Sequence, residues 1–334
     1  MLLALCCLWS VPASAAEVFL VSSYHEGDMC GQPQYEAVVE ALKQSGIPEL
    51  SFRGYYLDSR RRVGKDIDRE IDTIIADIRE RKPALVFTID DLAFARLYGE
   101  VLRHPSTFLV FTGLNRAVAE YDKGASFLDE KGLPAKNITG VFEYLFMKEQ
   151  FEMLEVLLQR PLRKVALLHS VDPVGVILKE QIADELSRTP YAGIVEFHAA
   201  EDAESALRLA DAIGADDSVD AWIPVTMSVK DSEGGFLTMG DLAKEMTARI
   251  RKPDLALNVS FTELGFYGGV SVDFYQMGFQ TGSMAAKLLK GLPIREIPVE
   301  NAGASIIAVN RSRLRELGIS IPGDFSAVVD LFLE

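Results

Sequence analysis

Between Gly64 and Arg81 the isoleucines fall at 67, 71, 74, 75 and 78, while Asp66, Arg69, Glu70, Asp77 and Glu80 take the other faces. That i, i+4, i+7, i+8, i+11 stripe marks a helix with one side laid against a sheet. Pro83 ends it, and Leu85-Val86-Phe87-Thr88-Ile89 follows without polar alternation, as a strand covered on both faces requires. A helix that buries one stripe, feeding a strand that buries both sides, restricts the chain to βαβ units around a parallel sheet.

The same alternation runs through the rest of the sequence as two series. In the first, Val18–Val21, Leu50–Phe52 and Phe108–Phe111 read as further strands, and Gln34–Gln44 and Leu92–Leu102 as helices. The second starts after Asn137-Ile138-Thr139-Gly140-Val141. Its helices are expected over Lys148–Gln159, Val174–Ser187, Ala203–Ile213 and Phe236–Ile250, its strands over Val165–Leu168, Ile194–Phe197, Ala221–Val225 and Leu255–Val259. Gly265, Gly268 and Gly269 then mark a turn or hinge before Val270-Ser271-Val272. A helix over Tyr275–Lys290, a strand over Ser305–Val309 and a short helix after Asn310 remain. With 334 residues the chain exceeds one ordinary core. Two series with segments left over predict two lobes joined by several crossovers.

The N-terminus has its own character. Met1–Trp9 is uncharged and apolar, and Ser10-Val11-Pro12 breaks the run before Ala13-Ser14-Ala15, an A-x-A cleavage pattern, so residues 1–15 read as an export signal and the mature protein as periplasmic. No Lys or Arg precedes the run, which leaves a buried N-terminal strand or helix as the alternative. Neither Cys6 nor Cys7 follows the small residue that a lipid anchor wants. Cleavage leaves Cys30 alone, either a buried apolar residue or a free thiol, with no internal disulfide. The formal charge of −15 argues against nucleic-acid partners.

No zinc motif, nucleophile elbow or phosphate-binding glycine loop occurs, and the four histidines, His25, His104, His169 and His198, form no ligating pair. The sequence therefore predicts no catalytic residues, no metal and no cofactor, with an exported enzyme using His25, Glu26 and Asp90 around a cleft as the remote alternative. What recurs is polarity at the ends of strands, in Ser22-Ser23-Tyr24-His25, Asp90-Asp91, Thr112 to Asn115, Ser170-Val171-Asp172, Thr226 and Ser260. In open parallel sheets ligands sit beyond the strands' carboxyl ends. The expected ligand-binding set is accordingly Ser23, Tyr24, His25, Asp90, Asp91, Thr112, Asn115, Glu143, Ser170, Asp172, Thr226, Ser260 and Asp273. Hydroxyls of Ser22, Ser23, Thr112, Ser170 and Thr226 suit a carboxylate; Asp90, Asp91, Glu143, Asp172 or Asp273 suit an ammonium. Tyr24, Tyr144, Phe261 and Phe274 are candidate aromatic walls. Each of these polar residues is also an ordinary helix cap, and capping is the competing role.

From Gly269-Val270-Ser271-Val272-Asp273-Phe274-Tyr275-Gln276-Met277-Gly278 through Gly282 and Met284 to Gly291, the chain resembles the ABC-transporter substrate-binding proteins of the tryptophan- and tyrosine-binding type. The likeness extends through Ile297-Pro298-Val299-Glu300, Val309-Asn310 and Leu317 to Pro322, and back to Pro83–Val86 and Asn137–Val141. It implies an α/β, type I periplasmic-binding-protein-like fold with two doubly wound parallel-sheet lobes joined by a multi-strand hinge. Crossovers are expected near Val141, Val270 and Ala302. Lobe 1 then comprises 17–140 plus 271–298, and lobe 2 comprises 141–270 plus 299–334. The implied function is capture of a small, amino-acid-like or other polar metabolite by a monomer, with delivery to an ABC importer. The Ser22–Asp28 opening departs from the family's short apolar one, and Asn115 stands where Asp is common. The Ser-Tyr-His opening looks more like the branch associated with membrane sensor kinases, which keeps a sensor-kinase ectodomain as an alternative partner.

Overall fold

The computed structural model describes residues 16–59, 62, 64–323 and 325–334. The expected export signal, with Cys6 and Cys7, lies outside these residues. In chain order the first half forms β1 (Ala16–Ser22), α1 (Gly31–Gln44), β2 (Leu50–Tyr56), α2 (Lys65–Arg81), β3 (Leu85–Ile89), α3 (Asp91–Val101), β4 (Phe108–Leu114), α4 (Val118–Gly124) and β5 (Ile138–Phe142). Next come α5 (Met147–Leu158), β6 (Val165–Ser170), α6 (Pro173–Leu186), β7 (Val195–Ala200), α7 (Ala203–Ala215), β8 (Ala221–Pro224), β9 (Ser228–Lys230) and β10 (Phe236–Thr238). The chain ends with α8 (Met239–Arg249), α9 (Val259–Glu263), β11 (Gly268–Val272), α10 (Phe274–Leu289), β12 (Glu300–Asn301), β13 (Ser305–Asn310), α11 (Arg311–Glu316) and β14 (Leu331–Leu333).

The first sheet has the order β12-β5-β4-β3-β1-β2 with every neighbour parallel. Alternate side chains go to opposite layers. Val18, Leu20, Leu85 and Phe87 enter the layer that holds Val38 and Leu42 of α1 and Met277 and Met284 of α10. Phe19, Val21 and Val86 enter the layer that takes the Ile67, Ile71, Ile74 and Ile78 stripe of α2 and Phe94 and Leu97 of α3. This is the doubly wound arrangement that the isoleucine stripe predicts.

The second sheet begins β7-β6-β8, all parallel. Single bridges from Trp222 to Asp254, Leu255 to Gly268 and Asn258 to Val272 carry it across to β11-β13-β14. Leu255–Val259 is thus a bridging segment and not the regular strand expected, because the Asn258 side chain accepts the Phe261 N–H at 3.2 Å and turns the chain into α9. A second difference lies at Phe236, expected to open a helix. Residues Phe236–Thr238 pair antiparallel with β9, and α8 starts only at Met239, where Thr238 and Asp241 form a capping box.

The chain passes between the sheets three times: from β5 to α5, from β11 to α10 and from β12 to β13. Residues 141–142 pair within the first sheet and 271–272 within the second. Glu300 and Asn301, grouped by sequence with the second lobe, pair in parallel with Val141 and Phe142 of the first sheet. Two polar residues at a sheet edge carry no apolar signature that sequence reading detects. The α1/α10 core layer continues through Val141, Leu145, Val270 and Ala302 into Phe151, Val165 and Leu167. The α2/α3 layer is confined to the first sheet, and the α7/α8 layer to the second.

Candidate functional site

The carboxyl ends of β1, β3, β4 and β5 form one polar rim, and those of β6 and β8 another. Ser22 ends β1, Ser23 follows it, and both are buried. Ser23 Oγ donates to the Ile89 carbonyl at 2.8 Å and accepts the Ala93 N–H at 3.0 Å, so it ties β1 to β3 and α3. Ser22 Oγ accepts the Tyr24 N–H at 3.1 Å. Thr112 donates to Gln34 Oε1 at 2.9 Å. On the facing rim, Ser170 donates to Asp172. The hydroxyls expected to hold a ligand carboxylate are largely engaged with the protein itself.

Asp90 sits at φ +74°, a left-handed conformation that is costly for a residue with a Cβ and that clusters at functional sites. Its carboxylate caps α3 through the Asp91 N–H and receives the Tyr24 hydroxyl. Asp91 accepts the N–H groups of Asn115 at 2.9 Å and Arg116 at 3.2 Å and the Tyr121 hydroxyl at 2.6 Å, which places it as a clamp on the loop after β4. His25 Nδ1 lies 3.7 Å from Asp28 and 3.9 Å from Asp58.

Glu143 follows β5 at the first crossover and is buried. Beside it Asn115 Nδ2 donates to Gln181 Oε1 at 3.0 Å, and Gln181 Nε2 donates to the Glu143 carbonyl at 2.5 Å and to Glu185 Oε1 at 3.1 Å. Glu185 in turn accepts the N–H groups of Leu145 at 2.9 Å and Met147 at 3.3 Å. Gln181 and Glu185 lie one turn apart on α6, and sequence reading missed both. An i, i+4 polar pair on a helix looks like solvent-facing surface until the crossover is folded beneath it.

Asp172 caps α6 through the N–H groups of Val174 and Gly175 and accepts the Ser228 N–H at 3.4 Å. Thr226 is half-buried after β8. Ser260 lies inside α9 and Asp273 caps α10. Together they border a cavity of about 320 Å³ with Met29, Pro33, Phe274 and Tyr275. Phe261 is not a wall of that cavity, because it packs against Phe266 in the α7/α8 layer, ring centroids 5.6 Å apart. Tyr144 is half-buried and meets Phe146 edge to face. A cavity of about 430 Å³ between α8 and α11 includes Arg313, whose guanidinium is committed to buried Asp254.

Residues 34–330 match the family model for ABC transporter substrate binding proteins. The chain belongs to that family. No curated protein matches its sequence. Among solved structures, the ABC domain in complex with L-Trp from Streptococcus pneumonia is 17% identical with a TM-score of 0.70, over 96% of this chain and 100% of that one. The ligand-free, open structure of a substrate binding protein with adhesive properties from Clostridium difficile is 12% identical with a TM-score of 0.71, over 96% and 99%. A conserved domain protein from Vibrio cholerae is 17% identical with a TM-score of 0.68, over 96% and 100%. At these identities the likeness is one of fold, the type I periplasmic-binding arrangement.

In this ABC substrate-binding protein the rim at the first crossover gathers the carboxyls of Asp90, Asp91, Glu143 and Glu185. Burial, with Asp90, Asp91 and Glu185 nearby, pushes the Glu143 carboxyl well above the ordinary range, against a hydrogen bond from Asn115. Burial also pushes Glu185 up to about 7, even with three hydrogen bonds opposing. Asp91 is raised by burial despite its Tyr121 and backbone donors.

Proposed function

We propose that this chain is a periplasmic solute-binding protein, without catalytic activity, that captures a small polar metabolite between its two lobes and delivers it to an ABC importer. The bodies that close are the two sheets with their helices, moving about the three crossovers. The observation that carries this reading is the opposition of Asn115, at the tip of β4, and Gln181, on α6 of the second sheet, in direct hydrogen bond at 3.0 Å. A cleft whose walls already meet through polar side chains suits hinge closure on a polar guest. The binding set anticipated from sequence is proposed in two groups. Asp90, Asn115 and Glu143 with Tyr24 and His25 face the guest from the first sheet, and Asp172, Thr226 and Ser260 with Asp273 from the second; Ser23, Thr112, Ser170 and Asp91 hold the frame.

A thermal-shift screen of the purified protein against a broad panel of small metabolites tests this. A bound solute at a hundred times its Kd stabilises the fold by about 2.7 kcal/mol. No shift with any member of the panel argues that the cleft captures no free solute.

A further inference from the structure

Resting on the solute-binding reading, we infer that the cavity between α1, α9 and the start of α10 seats an apolar group of the solute. The guest is then amphipathic: a polar head for the rims, joined to an aliphatic or aromatic group of about six to ten heavy atoms. The cavity holds about 320 Å³ and both lobes build it. Met29 just before α1, Pro33 in its first turn and Phe274 at the start of α10 come from the side of the first sheet. Val259 at the start of α9, Val272 of β11 and Ile306 of β13 come from the second. Pro33, Val259, Phe274 and Ile306 are only half-buried, and Met29 is 45% exposed. Apolar surface therefore faces apolar surface across the crossover from β11 to α10, and neither lobe covers it alone. Water in such a gap finds few hydrogen-bond partners, so an apolar group gains by displacing it.

Polar contacts are confined to one edge of the cavity. Ser23, Thr112 and Ser170 commit their hydroxyls to the protein, whereas the buried Ser260 hydroxyl makes no hydrogen bond among the described residues. Asp273 uses one oxygen to accept the Gln276 N–H at 2.9 Å, and its other oxygen has no partner among the described residues. Glu263 on α9 is exposed, and the Tyr275 hydroxyl is already held by Glu40. Ser260 and Asp273 can thus accept an O–H or N–H donor placed next to the apolar group. A sugar, which carries polar groups on every side, would leave most of them unpaired against these walls.

Methyl NMR on the full chain with labelled isoleucine and valine methyls, titrated with benzyl alcohol and with cyclohexylmethanol, tests this. Each alcohol is expected to bind with a Kd on the order of 1 mM. Each should shift the methyl resonances of Val259, Val272 and Ile306, while those of Val171 and Val174, which are exposed and do not line the cavity, stay in place. Glycerol at the same concentration should move none of them. Val259→Trp, which fills the cavity from α9, is expected to weaken both alcohols by about tenfold or more with an unchanged melting temperature; if that variant does not fold, the titration of the parent decides alone. Cavity methyls that do not move, equal shifts at Val171 and Val174, or unchanged affinity in a folded Val259→Trp protein each overturn the inference. So does a sugar that gives the largest stabilisation in the thermal-shift panel, and this result leaves solute capture standing. Alcohols bound in the cavity beside a panel without any hit would keep the apolar seat and remove the capture reading.

Discussion

The Gln181 side-chain amide donates to the main-chain carbonyl of Glu143 at 2.5 Å while its oxygen accepts from Asn115 at 3.0 Å, so one residue of α6 fastens two segments of the first sheet. Because Gln181 is buried, its loss strands those partners out of water. Gln181→Leu is expected to lower stability by about 1–3 kcal/mol, read as the shift of a urea midpoint at constant m-value. An unchanged midpoint would mean that water replaces the amide without cost.

The raised carboxyls predict an unusual pH profile. Glu185 titrates near 7 in the fold against 4.5 ordinarily, and Asp254 near 6 against 3.8. Between the ordinary and raised values the folded chain holds protons that the unfolded chain has lost, so stability falls as pH rises from about 5 to 7. Below that window the opposite group takes over, since Glu100 and Asp220 are held down to about 2 by their arginines and lose that benefit on acidification. Melting temperature is expected to peak near pH 5, and Glu185→Gln to flatten the decline above it by on the order of 1 kcal/mol. A profile rising steadily to pH 7.5 contradicts this.

Arg313 and Asp254 form an ion pair at 2.6 Å with both side chains withdrawn from solvent. Arg313 also donates to the carbonyls of Thr247 and Ile250, tying α11 to the end of α8, and Asp254 accepts the Tyr267 N–H beside β11. Arg313→Ala leaves the carboxylate unpaired in the core and is expected to cost about 3–5 kcal/mol in chemical denaturation. Adding Asp254→Asn to that variant should recover part of the loss, and additive losses would count against the pair.

Gly278 and Gly282 let α10 lie directly on α1. A Cβ on Gly278 would stand 2.5 Å from the Gln34 carbonyl oxygen and 2.7 Å from its Cα, which are main-chain atoms that cannot swing away. Gly278→Ala should therefore destabilise by about 1–3 kcal/mol. Gly99→Ala on α3, where no heavy atom lies within 4 Å, should gain roughly 0.5–1 kcal/mol from helix propensity. Equal effects at the two sites would refute the close-packing argument.

Much of the architecture is written locally. The isoleucine stripe of α2, the unbroken apolar run of β3 and the Gly278–Gly282 helix each carry their period or packing residue within one segment. Polar groups at strand ends were equally visible. Their long-range partners were not: that Ser23 donates to the Ile89 carbonyl and Asp91 accepts the Tyr121 hydroxyl is set only when the segments meet in the fold. The β9–β10 hairpin escaped because three-residue strands have too few positions to show alternation.

Sequence alone determined that this protein is two alternating βαβ series with crossovers between them, since helix and strand periodicity depend on neighbours within a few residues. Tertiary structure decided that Glu300 and Asn301 join the first sheet, that Gln181 and Glu185 close beneath the crossover, and that Glu143 is a buried carboxyl among acidic neighbours. Those outcomes depend on hydrogen bonds and desolvation between residues far apart in the chain, which no local pattern encodes.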